Sequence, residues 1–285
     1  MKLVDYFKLF LKNIKKINEE KRTDLFTLWI SNDDSLPELQ QLSLKSLVLT
    51  GHDVNLYVYG KLDNVPAGIT VNDANKVLDE SNIFTYKSGF NKGSYSGFAN
   101  WFRTKRLYEK GGSWVDCDIL AIKNIKFFKS NSLISSQIYD DGTIGPNNAF
   151  LRFKKEDILI KSLLDYMVEI KDNVRHGDTG PVLLKSMIQE KYPEYSNFLT
   201  NSNFISPINF FDYENYLKPS HEIVPKLKID EIWGFHVWNS MLNSNGIIME
   251  KINAGFYFDL KEIILNSKRS NYYERINSFF EQYSK

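Results

Sequence analysis

The chain has 285 residues, 42% of them hydrophobic and 25% charged, which is ordinary for a globular protein that buries a sizeable core. Its 36 basic and 35 acidic residues give a net charge of +1, which argues against a dedicated nucleic-acid-binding protein. The single cysteine excludes an intrachain disulfide, and no apolar run reaches the roughly 18 residues of a membrane span. We therefore expect a cytoplasmic protein.

The segment 1–22 differs from the rest in charge, with seven basic and three acidic side chains. Its apolar residues recur at helical spacing, at Val4, Phe7, Leu11, Ile14 and Ile17. A basic amphipathic helix of this kind can lie on an anionic membrane surface, here the inner face of the cytoplasmic membrane. The alternative is a helix packed against the body of the protein.

The next elements predict a parallel α/β sheet. The apolar run 25–31 is typical of a buried strand, residues 36–50 of a helix with Pro37 in its first turn, and residues 54–59 of a second strand. A strand, a helix and a strand in this order form a parallel unit. A short strand near 69–71 and a short helix near 74–80 follow.

The middle of the chain predicts a helix over 97–110 that ends at Gly111-Gly112, where glycine accepts a left-handed turn. Residues 113–115 form a strand, and helices are expected at 156–172, from Pro181 to 191, at 257–267 and at 271–283. No clean linker separates them, so we predict one domain over 23–285 with helices added at its C-terminal end.

Two carboxylates, Asp116 and Asp118, directly follow the predicted strand 113–115. On an extended chain the i, i+2 spacing points both to one face, with Cys117 turned toward the core. Carboxylates brought together repel unless a cation shares them, and their hard oxygens suit Mg²⁺ or Mn²⁺. Ligands of open α/β sheets bind beyond the carboxyl ends of strands, which favours a site here. A bare D-x-D triplet also occurs by chance on solvated loops.

Residues 97–118 read G-F-A-N-W-F-R-T-K-R-L-Y-E-K-G-G-S-W-V-D-C-D. This segment resembles the sugar-binding signature of glycosyltransferase family 32 and its bacterial capsule and lipopolysaccharide relatives. It is also similar to the glucosyltransferase domains of large clostridial toxins. The resemblance implies a GT-A fold, which is a Rossmann-like mixed α/β sheet flanked by helices. It also implies a nucleotide-sugar donor, with UDP as the favoured nucleotide. The implied cofactor is Mn²⁺ or Mg²⁺, and the implied reaction retains the anomeric configuration.

Near the predicted donor site, two residues match the family pattern and a third departs from it. Trp29 corresponds to a tryptophan that stacks on the nucleotide base, although a tryptophan in a strand is more often part of the core. Arg103 corresponds to an arginine that faces the donor, the alternative being a surface ion pair. Asn100 stands where the family usually has an aspartate that holds sugar hydroxyls, so the chain departs from the pattern there.

Two later segments resemble parts of the family site. Asn147-Asn148 corresponds to residues beside the transferred sugar, although asparagine alone also favours turns. Asp178, in a Gly-Asp-Thr-Gly-Pro loop, corresponds to an acceptor-facing position, where it contacts a substrate hydroxyl. The alternative role of Asp178 is helix capping ahead of Pro181.

The segment His236-Val237-Trp238-Asn239 resembles a late motif that closes over the donor. The resemblance implies that His236 is a further metal ligand and that the indole N–H of Trp238 donates to a phosphate or glycosidic oxygen. Asn239 belongs to the same donor-binding set. A lone histidine in an apolar segment is more often a structural hydrogen-bonding group.

The implied activity is transfer of a sugar to a hydroxyl of a surface polysaccharide or lipid-linked saccharide, with Asp118, Arg103, Asp178 and Trp238 in catalytic roles. The alternative class is a catalytically decayed nucleotide-sugar or carbohydrate-binding protein, which the asparagine at position 100 suggests. A metal phosphohydrolase requires more clustered ligands than four scattered histidines offer.

Overall fold

The computed structural model describes residues 24–125 and 130–284. The predicted basic helix 1–22 therefore lies outside the described residues. Among the helices that are described, none combines the length and the apolarity needed to cross a membrane.

A mixed six-stranded sheet forms the centre of the described structure. In chain order its strands are β1 (Asp24–Trp29), β2 (Asp53–Val58), β3 (Ile69–Asp73), β4 (Gly112–Val115), β6 (Leu133–Ile138) and β7 (Ile144–Phe153), and β5 (Ile119–Ala121) and β8 (Gly234–His236) form a separate two-stranded sheet. The spatial order of the large sheet is β3-β2-β1-β4-β7-β6. Pairs among the first four strands are parallel, whereas β7 runs antiparallel to both β4 and β6.

Helices cover both faces of this sheet, and further helices follow in the C-terminal part of the chain. They are α1 (Glu38–Leu49), α2 (Ser96–Lys110), α3 (Ile158–Ile170), α4 (Pro181–Glu190), α5 (Ser220–Ile223), α6 (Asn239–Ser244), α7 (Phe256–Leu265) and α8 (Tyr272–Tyr283). The predicted helix 74–80 is instead two short 3-10 turns, at Ala74–Lys76 and Glu80–Asn82. The predicted fold class, a mixed α/β sheet flanked by helices with C-terminal additions, is confirmed.

The alternation of side chains along β1 explains how the sheet separates two cores. Phe26 and Leu28 pack with α2, α3 and α4 on one face, whereas Leu25 packs with α1 on the other. A third apolar cluster joins α1 to the C-terminal helices. The central strands of the sheet are therefore buried on both faces, whereas the edge strand β3 is largely exposed.

Gly111 fixes how α2 leads into β4. It ends α2 with φ +68°, and its N–H donates to the Leu107 carbonyl at 2.8 Å. A Cβ atom at this position would lie 2.6 Å from the backbone nitrogen of Lys155, so a larger residue cannot fit without moving the chain. The tight turn places α2, which carries Arg103, directly over the strand that leads to Asp116.

Candidate functional site

A cavity of about 750 Å³ opens at the carboxyl edge of the large sheet, beyond the ends of β1 and β4. This volume is within the range of small-molecule sites. The predicted site residues that line it are Trp29, Asn100, Arg103, Asp116, Asp118, Asn147, Asn148, His236, Trp238 and Asn239. Residues separated by more than 200 positions in the chain therefore share one cavity, at the sheet edge where the sequence predicts a ligand site.

Asp116 and Asp118 converge, but not through an extended strand. β4 ends at Val115, and Cys117 and Asp118 form a turn before β5 begins at Ile119. The expected extended conformation of the triplet is therefore wrong, because β5 leaves the large sheet to pair with β8. One ligand atom each from Asp116, Asp118 and His236 lies within 4.8 Å of the other two.

Asp116 is held through one of its two carboxylate oxygens. Its Oδ1 accepts the indole N–H of Trp114 at 2.6 Å and a guanidinium N–H of Arg103 at 3.4 Å. Burial raises the pKa of this carboxyl above its ordinary value and the neighbouring Asp118 raises it further, although Arg103 acts in the opposite direction. Ionisation of Asp116 is therefore unfavourable in the absence of a cation, and a cation bound at the cluster would make it more favourable.

Arg103 is a buried cation whose two terminal nitrogens donate to the protein, while its Nε has no acceptor among the described residues. Only 3% of the residue is exposed, so the surface ion pair considered from sequence is wrong. Besides Asp116, its guanidinium donates to the Asn148 carbonyl at 3.0 Å and to Oδ1 of Asn100. It also lies 5.1 Å from the centre of the Trp114 ring. Arg103 borders the cavity, but it reaches the cation site through Asp116.

Asp118 and His236 form the other half of the cluster. Asp118 Oδ1 lies 3.3 Å from His236 Nε2, and Asp118 Oδ2 accepts the backbone N–H of Asn239 at 3.1 Å. Burial opposes the charged form of both groups, but their attraction dominates. As a result the pKa of Asp118 is lowered and the pKa of His236 is raised. The pairing of Ile119 with His236 in the β5–β8 ladder sets this contact.

Trp238 turns the chain from β8 into α6. Its φ of +58° is left-handed, a conformation that is uncommon for a bulky residue, and it brings the N–H of Asn239 to Asp118. Its indole N–H donates to the Ile208 carbonyl at 2.7 Å. The expectation that this N–H contacts a phosphate or glycosidic oxygen is therefore wrong in this arrangement, because a backbone carbonyl already accepts it.

Trp29 and Cys117 lie at the β1 side of the cavity. Trp29 is half-buried, and its indole N–H donates to the Ser35 carbonyl at 3.3 Å. The Cys117 thiol contacts Thr27 Oγ1 at 3.0 Å, and burial raises its pKa to about 12. The thiol is consequently protonated at neutral pH and offers a cation no thiolate.

Three asparagines of the site, Asn100, Asn147 and Asn148, have different surroundings. Asn100 donates to Thr179 Oγ1 at 3.1 Å and accepts from Arg103, so its amide bridges α2 to the 175–180 turn. Asn147 is buried and donates to Gln137 at 2.6 Å. Asn148 has a buried Oδ1 to which no described residue donates. Buried polar atoms are ordinarily paired, and this oxygen is one of three orphaned buried atoms among the described lining residues, beside Arg103 Nε and His236 Nδ1.

Asp178 does not join the cavity. It is exposed, lies outside the lining, and accepts the backbone N–H of Arg175 at 2.8 Å. It is not the cap of α4 either, because Gly180 occupies that position. The capping interpretation is therefore wrong, since the turn directs the carboxylate back to its own backbone. Contact of Asp178 with a substrate hydroxyl outside the cavity stays a prediction.

Several lining residues escaped the sequence analysis, among them Tyr86, Trp114, Gln137 and Phe210. Trp114 offered a signal, since it stands two residues before Asp116 and shares its side of the strand. Tyr86 is buried, and desolvation raises its pKa to about 12. It follows a loosely patterned stretch, and nothing in its sequence neighbourhood distinguishes it from a core tyrosine.

The cluster of Asp116, Asp118 and His236 fits a divalent cation. Carboxylate oxygens and an imidazole nitrogen suit Mn²⁺ and Mg²⁺, which bind ligands at roughly 2.1 Å and keep open positions for phosphate oxygens. Donor atoms within 4.8 Å of one another can converge on one such ion. Once His236 is neutral, as a metal-binding imidazole must be, the two carboxylates and the one buried guanidinium leave a net negative site. The residues present are therefore suited to the cofactor that the sequence implies.

No protein-family model matches the chain, and no curated protein matches it significantly. Solved structures with a similar fold include PaToxG glycosyltransferase (12% identity, TM-score 0.44, 92% of this chain and 86% of that chain). Apo GlyE, a glycosyltransferase of Streptococcus pneumoniae TIGR4, is 14% identical with a TM-score of 0.49 over 93% of this chain and 64% of its own. The apo bifunctional WbbM is 13% identical with a TM-score of 0.42 over 89% and 51%. Likenesses with TM-scores below 0.5 identify neither a family nor a function.

Proposed function

We propose that the chain is a metal-dependent, retaining glycosyltransferase that uses a nucleotide-sugar donor, with UDP as the nucleotide. The observation that carries the proposal is the convergence of Asp116, Asp118 and His236 in a cavity that Trp29 and Asn148 also line. A cation site, an aromatic surface for a base and an unpaired amide oxygen for a sugar hydroxyl are the three elements that such a donor requires.

Asp116, Asp118 and His236 would hold Mn²⁺ or Mg²⁺, which would supply Lewis-acid stabilisation of the negative charge on the departing diphosphate. Trp29 binds the base, and Asn148 accepts a hydrogen bond from the transferred sugar. Asn147 orients the segment that carries Asn148, and Asn100 and Arg103 close the cavity behind the sugar. Trp238 and Asn239 contribute by holding Asp118.

In the proposed reaction the bond between the anomeric carbon and the phosphate oxygen breaks as the acceptor hydroxyl oxygen bonds to that carbon from the same face. The hydroxyl proton passes to the departing phosphate oxygen, so atoms and charge balance without a further base. The acceptor is a hydroxyl of a surface polysaccharide or lipid-linked oligosaccharide. A cytoplasmic protein, attached peripherally to the membrane through residues 1–22, fits that acceptor class. Unchanged liposome binding after deletion of 1–22 would contradict the membrane part.

The experiment is a panel of nucleotide sugars with Mn²⁺, in which release of nucleoside diphosphate is measured. We expect one donor to be turned over, and Asp118→Ala to reduce its turnover by at least roughly 1,000-fold, because the variant loses a ligand and the partner of His236. The matched control is Asp165→Ala, which removes an exposed aspartate that pairs with Lys161 far from the cavity. Full activity in Asp118→Ala would end the proposal.

A second candidate is a binding protein without turnover, and the engagement of Arg103 favours it. The guanidinium already donates to Asn100, Asp116 and Asn148, so it is less available to neutralise a diphosphate. Calorimetric binding of Mn²⁺ and UDP, with no release of diphosphate from any donor in the panel, would support this candidate over the enzyme.

A further inference from the structure

The two oxygens of Asp116 have different surroundings. Oδ1 accepts from Trp114 at 2.6 Å and from Arg103 at 3.4 Å. Oδ2 receives no hydrogen bond from any described residue. A carboxylate fixed through one oxygen presents the other in a set direction, as a ligand must if it is to meet a cation without reorganising.

Trp114 cannot easily turn its N–H away. The residue is 3% exposed and lies in β4, with Asp116 two residues later on the same side. The Arg103 guanidinium is 5.1 Å from the ring centre, and the Phe26 ring meets it edge-on at 5.6 Å. A hydrogen bond from a neutral N–H to a carboxylate is strong, and packing on both sides makes this one rigid.

We propose that Trp114 is a positioning residue for the cation site: its indole N–H, together with Arg103, orients Asp116 so that Oδ2 faces Asp118 and His236. The inference rests on the metal site of the proposed function, but it concerns cation affinity and not sugar transfer. Arg103 has the same role, through the same oxygen. Neither residue touches the cation.

The test is the dissociation constant of Mn²⁺, measured from free Mn²⁺ by electron paramagnetic resonance without any sugar donor. Trp114→Phe keeps an aromatic ring and removes the N–H. We expect it to raise the Mn²⁺ dissociation constant by roughly 10- to 100-fold, the usual effect of losing a partner of a metal-binding carboxylate. The matched control is Trp101→Phe, which removes a buried indole whose N–H has no acceptor among the described residues. It should change the constant less than about twofold.

Trp114→Phe in a folded protein with wild-type Mn²⁺ affinity overturns the inference, and so does an equal loss in Trp101→Phe. If Trp114→Phe does not fold, as judged by its circular dichroism, Arg103→Lys is measured in its place. Arg103→Lys keeps the charge and loses the planar donor geometry, and unchanged affinity there also overturns the inference.

The same measurement separates this inference from the function. Mn²⁺ binding that Asp118→Ala abolishes, but that Trp114→Phe leaves unchanged, overturns the inference and leaves the transferase standing. Binding that depends on Trp114, in a protein that turns over no nucleotide sugar, supports the inference and ends the transferase. A wild-type protein that binds no Mn²⁺ ends both.

Discussion

The two carboxylates of the proposed cation site lie two residues apart, yet they are held by different regions of the molecule. Asp116 depends on neighbours in β4 and α2, namely Trp114 and Arg103, at most 13 positions away in the chain. Asp118 depends on His236 and Asn239, which follow it by more than 100 positions. The Asp116 side therefore belongs to the large sheet, and the Asp118 side forms only when the C-terminal third of the chain docks.

The pKa values of the two carboxyls are also shifted in opposite directions. Burial and the neighbouring Asp118 raise the pKa of Asp116, so its ionisation costs stability in the absence of a cation. Although burial opposes ionisation of Asp118 too, the attraction of His236 lowers its pKa, so its ionisation contributes stability. One carboxylate thus needs the cation, while the other already has a positive partner.

The largest expected effect comes from removing the distant ligand. His236→Ala should weaken Mn²⁺ binding by at least roughly 100-fold, because it removes a ligand and also leaves Asp118 without its partner. The measurement is the Mn²⁺ dissociation constant, with His221→Ala as the control, since His221 is exposed and does not line the cavity. Equal affinities of His236→Ala and the wild type would show that the Asp118 side is not part of the cation site.

The next prediction tests whether ionisation of Asp116 and ionisation of Asp118 have opposite effects on stability. The protein is kept metal-free with a chelator. At pH 6, Asp118→Asn should lower the free energy of unfolding by about 1–3 kcal/mol, as expected for a lost hydrogen bond between charged groups. Asp116→Asn should raise the free energy of unfolding, because the neutral amide avoids an unfavourable ionisation. Denaturant unfolding measures both, and changes of the same sign would contradict the comparison.

The pH dependence of the Asp118→Asn effect follows from the same shifts. The Asp118 contribution is present above its ordinary pKa of 3.8 and is lost as the pH falls through the lowered folded value. The His236 contribution is present below its ordinary pKa of 6.5 and is lost as the pH rises through the raised folded value. The stability difference between wild type and Asp118→Asn should therefore be greatest between these two ordinary values.

The smallest expected effect concerns Trp29, which belongs to neither side of the cation site. Trp29→Ala should weaken UDP binding by roughly tenfold, within the 1–3 kcal/mol typical of base stacking, and leave Mn²⁺ binding without nucleotide unchanged. Calorimetry measures both, with Trp29→Phe as the variant that keeps an aromatic ring. A lower melting temperature with unchanged UDP affinity would instead make Trp29 a core residue.

The division into two sides also explains what could be predicted from the sequence. Apolar periodicity and the glycines at 111 and 112 located α1, α2 and the strands of the parallel half, because these elements depend on neighbouring residues. The antiparallel entry of β7 and the pairing of β5 with β8 depend on contacts between distant segments, which no local pattern shows. The assumption that Asp116 and Asp118 are extended failed for the same reason.

Side-chain roles were predicted less well than side-chain positions. The residues expected at the donor site all line one cavity, whereas Asp178, which was expected to face the acceptor, does not line it. Which atom each residue presents to that cavity was not predictable, because it depends on competing partners. Trp238 gives its N–H to Ile208, Arg103 gives its donors to three protein oxygens, and Asp178 accepts from its own turn.

The β5–β8 ladder has a consequence for the order in which the protein matures. A chain folded only through β7 contains Asp116 with both of its partners, but His236 is still missing, so its cation site is incomplete. A shift of the ladder by one residue would turn His236 to the opposite face. If the cluster binds a cation as proposed, that binding would report that the last third of the chain has docked in register, and the bound ion would stabilise the docked state by mass action. The three side chains proposed to bind the catalytic cation would then also couple cation binding to the completion of folding.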